Sequence, residues 1–266
     1  RRNYAQASSY AKMKYYLETS ALRMLAPNIQ RISDCYTSIF ALTEIVSGIT
    51  KENFETNRNI LSVLTQAGMT VVLAWPETMI NSSFPGVYAK ELREDDFLEL
   101  VVIITKSQSL EEVHKKSDEK GLRYPLGYFQ SHDVSRNQAY NEIIREMIAK
   151  SRAPKVRDFA RQYAKAKVGS EREYHRQRKI AAYARFFAKK LKRPDDKPFI
   201  EELKTIYNGD IDLYLDALNL YEGEKLATWN EPQRNDLYDL NHFLYLSDRK
   251  RHIMVSNDKL IFRLMK

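Results

Sequence analysis

The stretch that most constrains the fold is residues 69–75, MTVVLAW, a β-branched and apolar run. This composition is typical of a parallel strand that is covered on both faces. A second candidate strand, residues 13–17 (MKYYL), lies upstream, and helical patterns at residues 37–46 and 51–66 occupy the connection between the two strands. Because a right-handed crossover between parallel strands requires a connection of this kind, the sequence predicts an α/β fold.

The middle of the chain is helical by pattern. Residues 81–229 show one helical pattern after another, and although residues 95–104 fit a helix or a strand by periodicity alone, their acidic flank favours the helix. The next candidate strand is residues 252–256, near the carboxyl end. We therefore predict a small parallel sheet flanked by helices, formed by residues 12–80 and 230–266, with residues 81–229 as a large all-helical insertion.

Composition excludes several classes of protein and of site. The single cysteine, Cys35, excludes an intramolecular disulfide, and together with five scattered histidines it offers no spacing typical of a structural zinc site. The longest apolar runs are far shorter than the roughly 20 residues that span a bilayer, and no signal-peptide pattern opens the chain. The sequence therefore predicts a cytoplasmic protein in a reducing environment, without a membrane partner.

Positive charge is concentrated in one segment. The chain of 266 residues has a formal net charge of +8, and residues 150–193 hold 16 Lys and Arg against three acids, or +13, which leaves −5 for the rest. Such runs are usually solvated helix faces whose aromatic side chains belong to the core, but this one could attract RNA and stack on unpaired bases. The candidate nucleic-acid-binding residues are Arg172, Arg176, Arg178, Lys179, Arg185 and Lys189.

Carboxylates lie at the ends of two candidate strands. Glu18 follows the first strand, and Asp258 follows the last one. Because an open α/β sheet binds its ligands at the carboxyl ends of its strands, we expect both side chains to lie in one cleft. Glu44, on a helix after the first strand, and an aspartate on the helix before the last strand are expected to join them. Mg²⁺ and Mn²⁺ take oxygen ligands and keep several waters, so the four acids predict a divalent-metal site.

Four segments together resemble a known family. They are YYLETSAL (15–22), TEIVSGI (43–49), DLYDLNHFLY (236–245) and VSNDKLI (255–261). In this order they resemble the PIN-domain nucleases, which have a strand ending in Asp followed by Thr or Ser, a helix that bears a Glu, an Asp at the start of a helix, and Thr-Asn-Asp after a strand. The helical middle of the chain is not part of this pattern.

The resemblance implies a role for each acid. Glu18, Glu44, Asp239 and Asp258 would be the catalytic set, and the metal would be bound by Glu18, Asp258 and Asp239, with Asp236 as the alternative to Asp239. Glu18 stands where the family has an aspartate, and its extra methylene is expected to shift the metal or push the ligand outward. Supporting contacts are expected from Thr19, Ser20 and Asn257.

The resemblance also implies an activity. It predicts a Mg²⁺- or Mn²⁺-dependent endoribonuclease in which a metal-activated water attacks a phosphodiester of RNA, and DNA is not excluded as a substrate. A role as a toxin or phage-defence effector would follow, with a homo-oligomer or an inhibitory protein as a partner. The alternative is a catalytically degenerate PIN fold that serves as an RNA-binding or assembly module.

Each acid also has a structural explanation of its own. Asp258 could cap the last helix, and Glu44 could be a solvated helix residue. His242, three residues after Asp239, could contact a phosphate, although a single histidine on a helix is more often structural. Glu77, which follows residues 69–75, is a further acidic candidate. The joint pattern of four acids in order, rather than any one of them, favours the metal cleft.

Overall fold

A four-stranded sheet organises the protein. The computed structural model describes residues 13–31, 34–87, 94–151, 169–246 and 251–265. Its strands, which pair in parallel in the order β3-β2-β1-β4, are β1 (Lys14–Leu17), β2 (Cys35–Ser38), β3 (Thr70–Val72) and β4 (His252–Val255). This arrangement confirms an α/β fold with a small parallel sheet, including the strands predicted at residues 13–17 and 252–256.

Helices make up most of the remaining described residues. In chain order they are α1 (Thr19–Leu25), α2 (Ile39–Ser47), α3 (Phe54–Gln66), α4 (Pro76–Ser82), α5 (Glu94–Lys106), α6 (Leu110–Glu119), α7 (Leu126–Ser151), α8 (Gly169–Lys190), α9 (Lys197–Thr205), α10 (Asp212–Thr228), α11 (Asp236–Asn241) and α12 (Lys259–Met265). Two 3₁₀ helices, Ala26–Arg31 and His242–Tyr245, complete the set. Within the part of the chain that the structure describes, no strand lies between β3 and β4. A helix predicted at residues 155–166 lies outside that part.

Strand β2 is the element that the sequence prediction missed. The helix predicted over residues 37–46 begins instead at Ile39, because the hydroxyl of Ser38 accepts a hydrogen bond from the amide of Ala41 at 3.1 Å and caps α2. The four residues before the helix are extended and pair with β1 on one side and β3 on the other. The N-cap residue of a helix is also the last residue of the segment before it, and here that segment is strand β2.

Strand β3 is less covered than its composition predicts. It extends only over Thr70–Val72, lies at the edge of the described sheet, and has no fully buried residue. The side chain of Leu73 beside it is 39% exposed. Val71 and Val72 are partly buried against different cores, so each face of β3 is covered only in part.

Two hydrophobic cores cover the two faces of the sheet. Successive residues of a strand point to opposite faces, so Tyr16 belongs to one core and Leu17 to the other. The core around Tyr16 includes Ile180 of α8 and Leu215 of α10, and the core around Leu17 includes Phe97 of α5. Helices of residues 81–229 therefore share both hydrophobic cores with the sheet, whereas the boundaries predicted for an insertion stay a prediction.

Candidate metal centre

Two neighbouring strands, β1 and β4, bring two of the predicted acidic segments together. Leu17 at the end of β1 pairs with Val255 at the end of β4, and the amide of Glu18 donates to the carbonyl of Val255 at 3.4 Å. One step further, the amide of Asn257 donates to the hydroxyl of Ser20 at 2.9 Å. The segments that follow β1 and β4 therefore leave the same edge of the sheet side by side, as the parallel pairing requires.

Glu18 caps its own helix. One carboxylate oxygen accepts from the amide of Ser20 at 2.7 Å, and the other accepts from the amide of Ala21 at 3.1 Å and from the hydroxyl of Ser20. The side chain is 3% exposed. The carboxylate is therefore folded back onto the first turn of α1, and a shift of the metal by the extra methylene stays a prediction. Ser20 does support Glu18, as expected.

Glu44 is held by the predicted hydroxyl and by a histidine. Its Oε2 accepts from the hydroxyl of Thr19 and lies 2.8 Å from Nε2 of His242, which is buried. The other ring nitrogen of His242 lies 2.7 Å from the hydroxyl of Tyr16, which lies 2.9 Å from the hydroxyl of Ser38. A continuous hydrogen-bonded chain therefore runs from β2 through β1 to Glu44.

The hydrogen bonds of this chain connect four side chains. The amide of Ala41 donates to the hydroxyl of Ser38, which also lies within hydrogen-bond distance of Tyr16. Burial raises the pKa of Tyr16 well above its ordinary value, so this hydroxyl keeps its proton and can donate either to Ser38 or to Nδ1 of His242. His242 fixes the orientation of Glu44, a role that its sequence position alone did not reveal.

The two aspartates of α11 have different surroundings. Oδ2 of Asp236 accepts from the hydroxyl of Tyr221 at 2.6 Å and from the amide of Gln233 at 2.8 Å, and it lies 3.1 Å from Nζ of the buried Lys225. The carboxyl group of Asp239 makes no hydrogen bond with any residue that the structure describes. Asp236 is therefore held inside the protein, and Asp239 is the aspartate that remains available to a ligand.

The electrostatics of Asp239 join the five predicted acids. Burial, followed by the negative charges of Asp258, Glu44, Asp236 and Glu18, raises the pKa of Asp239 from 3.8 to about 9. At neutral pH this carboxyl group therefore keeps a proton, because burial and the surrounding negative charges both disfavour its ionised form. A carboxyl group whose pKa is raised this far by burial and by neighbouring acids is a candidate for a functional site.

Asp258 caps the last helix and still has an oxygen to spare. Its Oδ1 accepts from the amide of Leu260 at 2.6 Å and from that of Ile261 at 3.2 Å, as the structural explanation predicted. Its own amide donates to the hydroxyl of Ser256 at 2.8 Å, which fixes the turn after β4. Oδ2 makes no hydrogen bond within the described part of the chain, so capping and ligand binding are compatible at this residue.

An open cleft lies beside these aspartates. It has a volume of about 740 Å³ and is lined by Asp236, Asp239 and Asp258, but not by Glu18 or Glu44. The rest of its wall is mixed in charge and is formed by Glu224, Lys225, Asn230, Glu231, Gln233, Arg234, Asn235, Lys259, Leu260 and Arg263. The two acids that keep an unused oxygen therefore border an open space that basic side chains also reach.

The donor set suits a hard cation with few protein ligands. Among the residues that the structure describes, no three His, Cys, Asp or Glu side chains are placed to hold one metal ion, so the site of four carboxylates stays a prediction. Mg²⁺ is usually bound through one or two carboxylates, with waters and a substrate phosphate completing its coordination. Asp239 and Asp258 at one cleft provide that minimum, and the excess negative charge around Asp239 favours a cation there.

The basic segment is partly engaged in ion pairs. Arg172 and Arg176 pair with the buried Asp216 of α10, and Lys179 pairs with Glu222 of the same helix. Burial alone would raise the pKa of Asp216, but the hydrogen bonds from Arg176 and Arg172 bring it below its ordinary value. These three basic residues of α8 therefore join two helices of the protein.

The other three basic candidates of α8 face outward. The side chains of Arg178, Arg185 and Lys189 are exposed, and the first two line a depression of about 400 Å³. The basic residues of 152–168, which belong to the same predicted segment, lie outside the described residues. The prediction of nucleic-acid contact is therefore best tested on Arg178, Arg185 and Lys189.

Comparisons with known proteins found no similar protein. No family model matches the chain, and neither a curated protein nor a solved structure matches it. The resemblance to the PIN-domain nucleases therefore depends on the residues described above. Among the described helices, none is both long and apolar enough to cross a membrane.

Proposed function

We propose that the protein is a metal-dependent nuclease that hydrolyses phosphodiester bonds of RNA at the cleft beside α11 and α12. The observation that carries the proposal is that Asp239 and Asp258 line one cleft, each with carboxylate oxygen that no described residue engages. Burial and the negative charges of Asp258, Glu44, Asp236 and Glu18 raise the pKa of Asp239 to about 9. A carboxyl group in this state binds a proton or a cation, and a divalent cation offsets the surrounding charge more completely than a proton does.

In this proposal, metal binding and the positioning of the acids depend on different side chains. Asp239 and Asp258 would hold Mg²⁺ or Mn²⁺ through carboxylate oxygens at the cleft, and the ion, when bound, supplies an activated water and offsets charge on the phosphate. His242 and Thr19 hold the carboxylate of Glu44 in one orientation, so that its negative charge acts on Asp239 from a fixed position. Glu18 fixes the start of α1 and the contact of Ser20 with the loop before Asp258.

The choice of RNA as substrate comes from the resemblance and from the exposed basic residues of α8. Phosphate contacts alone do not separate RNA from DNA, so DNA is the second substrate to test. A cytoplasmic setting, a toxin or defence role, and a homo-oligomer or inhibitory partner are implied by the sequence and the resemblance and stay predictions.

A second candidate function is supported by Glu18. Both oxygens of this carboxylate receive hydrogen bonds from α1, so the first acid of the predicted set is engaged in capping. A PIN-like fold without this ligand could serve as an RNA-binding or assembly module. In that case RNA would bind with a steep dependence on salt and would not be cut.

Cleavage of a labelled single-stranded RNA in Mn²⁺, in Mg²⁺ and in EDTA tests the proposal. Wild type is expected to cut only with metal, and Asp239→Asn and Asp258→Asn are expected to lose cleavage while keeping a cooperative unfolding transition. Asp118→Asn, which removes an exposed acid of α6 outside the cleft, is the matched control and should cut like wild type. Metal-dependent cleavage that survives in both cleft variants would refute this site, and Glu18→Asp shows whether an aspartate raises the rate.

A further inference from the structure

One loop that lines the cleft takes no part in the proposed metal binding or cleavage. Residues 230–235 connect α10 to α11, and five of them line the cleft. Glu231 pairs with Arg145 of α7 at 3.1 Å, and the other four carry carboxamide or guanidinium groups: Asn230, Gln233, Arg234 and Asn235. Their side chains make no hydrogen bond or ion pair with any residue that the structure describes. Asn235 is the N-cap residue of α11, yet its side chain makes no capping bond, although asparagine is among the preferred caps. These polar groups are therefore available to a ligand.

Hydrogen bonds from buried side chains hold the backbone of this loop. Nζ of Lys225 donates to the carbonyl of Glu231 at 2.9 Å and pairs with Asp236, and Asp236 in turn accepts from the amide of Gln233 at 2.8 Å. The side chain of Asn141 on α7 donates to the carbonyl of Gln233 at 3.1 Å. Lys225 is 5% exposed, so its ion pair with Asp236 lies inside the protein. A buried ion pair contributes little net stability, and its clearer effect is to fix geometry.

The chain also enters the loop in an unusual conformation. Trp229 ends α10 in the left-handed region, with φ of 56°. This conformation costs free energy for a residue with a side chain, and it persists only where the surrounding structure requires it. A loop whose backbone is held by a buried ion pair and by Asn141 fixes the positions from which its exposed side chains reach a ligand.

The exposed groups match the chemistry of unpaired nucleotides. A carboxamide offers a donor and an acceptor side by side, which matches the edges of nucleobases and the 2′-hydroxyl of RNA. Arg234 and Lys259 lie on the same cleft and are both exposed, so they can contact the phosphates between those nucleotides. A cleft of about 740 Å³ has the size of a small-ligand pocket, so it has room for unstacked nucleotides.

We propose that residues 230–235 form a recognition loop that reads the bases and 2′-hydroxyls of single-stranded RNA next to the bond to be cut, with Arg234 holding a phosphate. Lys225 and Asp236 act as positioning residues beneath it. The inference rests on the proposed action on RNA, but it requires binding only and not cleavage.

Fluorescence anisotropy with labelled single-stranded RNA in EDTA tests the loop without any cleavage. Arg234→Ala is expected to weaken binding by about tenfold and to lower the salt dependence by about one phosphate contact. Arg123→Ala, which removes an exposed arginine outside the cleft, is the matched control and should change affinity less than twofold, within about ±0.5 kcal/mol. Equal effects of the two substitutions would overturn the assignment of Arg234.

Base recognition is measured with four RNA oligonucleotides that differ in the repeated base. Wild type is expected to discriminate by roughly fivefold or more, about 1 kcal/mol, and the double variant Asn230→Ala, Asn235→Ala should lose that discrimination while keeping the salt dependence. Gln138→Ala on α7 is the carboxamide control, since it lies outside the cleft lining.

Discrimination that is absent in wild type or unchanged in the double variant would overturn the inference, as would equal or tighter binding of the matching DNA. Selective binding without cleavage in Mn²⁺ would support the loop and refute the nuclease.

Discussion

The two aspartates of α11 provide a matched pair for stability measurements. Asp236 and Asp239 lie one turn apart on the same helix, and each can be changed to asparagine, which has nearly the same shape without the charge. We expect the two substitutions to have opposite effects, because Asp236 has a buried cation beside it and Asp239 is surrounded by acids.

For Asp239 the size of the effect follows from its pKa. The folded protein holds the proton up to a pKa of about 9, whereas the unfolded chain releases it near 3.8, so stability falls as pH rises between these values. At pH 7, roughly 3.2 units above 3.8 and at about 1.36 kcal/mol per unit, the penalty reaches roughly 4 kcal/mol as an upper figure. Asparagine has no proton to lose, so Asp239→Asn is expected to stabilise the metal-free protein at pH 7 and to change little at pH 4.

For Asp236 we expect the opposite effect of the substitution on stability. The substitution to asparagine leaves Nζ of Lys225 buried with the carbonyl of Glu231 but without its carboxylate partner. Removing one partner of a buried ion pair typically costs about 3–5 kcal/mol. Asp236→Asn is therefore expected to destabilise the protein at pH 7, whether or not a metal is present.

Thermal unfolding in EDTA at pH 4, 5.5, 7 and 8.5 measures both effects. The stability of wild type relative to Asp239→Asn should fall steadily with pH, and each kcal/mol corresponds to about 2–4 °C in the midpoint for a chain of this size class. Two results would refute the reasoning. One is an Asp239→Asn variant less stable than wild type at pH 7, and the other is a difference from wild type that does not vary with pH.

Three further predictions concern other residues of the site and of α8. Glu44→Gln should leave the unfolding midpoint nearly unchanged and abolish metal-dependent cleavage, because it removes a negative charge that acts on the cation; a rate within threefold of wild type would contradict this. Glu18→Ala should cost about 1 kcal/mol in thermal unfolding, since it removes the cap of α1, and no loss would show that the cap is dispensable. Arg176→Ala should destabilise the protein because it leaves Asp216 with one partner fewer, whereas Arg185→Ala should weaken RNA binding and lower its salt dependence without changing stability. The reverse pattern for the two arginines would contradict the assignment of α8.

Several features of the fold were predictable because they depend on local patterns. The strands at both ends of the chain were recognisable as short apolar runs, and the helices of the middle as periodic patterns. Strand β2 was not recognisable, because its four residues run directly into a helix and only the capping bond of Ser38 separates the two. The edge position of β3 was also hidden, since apolar composition reports burial in general and not the number of neighbouring strands.

The acids of the candidate site could be selected from the sequence, but their contacts could not. Burial and the negative charges of the other four acids raise the pKa of Asp239, whereas a metal site formed by these acids stays a prediction. The sequence could not tell that Glu18 folds back onto α1, or that Asp236 pairs with Lys225. It also gave no sign of the contact between His242 and Glu44, because the partners are 198 residues apart. Contacts of this kind depend on side-chain direction, which a spacing pattern does not contain.

The most direct test of the central claim is a count of the protons released when a divalent ion binds. Calorimetric titration of Mn²⁺ at pH 7 in two buffers of different ionisation enthalpy gives this number. Because Asp239 holds a proton with a pKa of about 9, we predict that wild type releases about one proton for each ion bound. Asp239→Asn should bind more weakly and release none. Binding without proton release, or no binding at millimolar Mn²⁺, would contradict the assignment of Asp239 and Asp258 as the cation site.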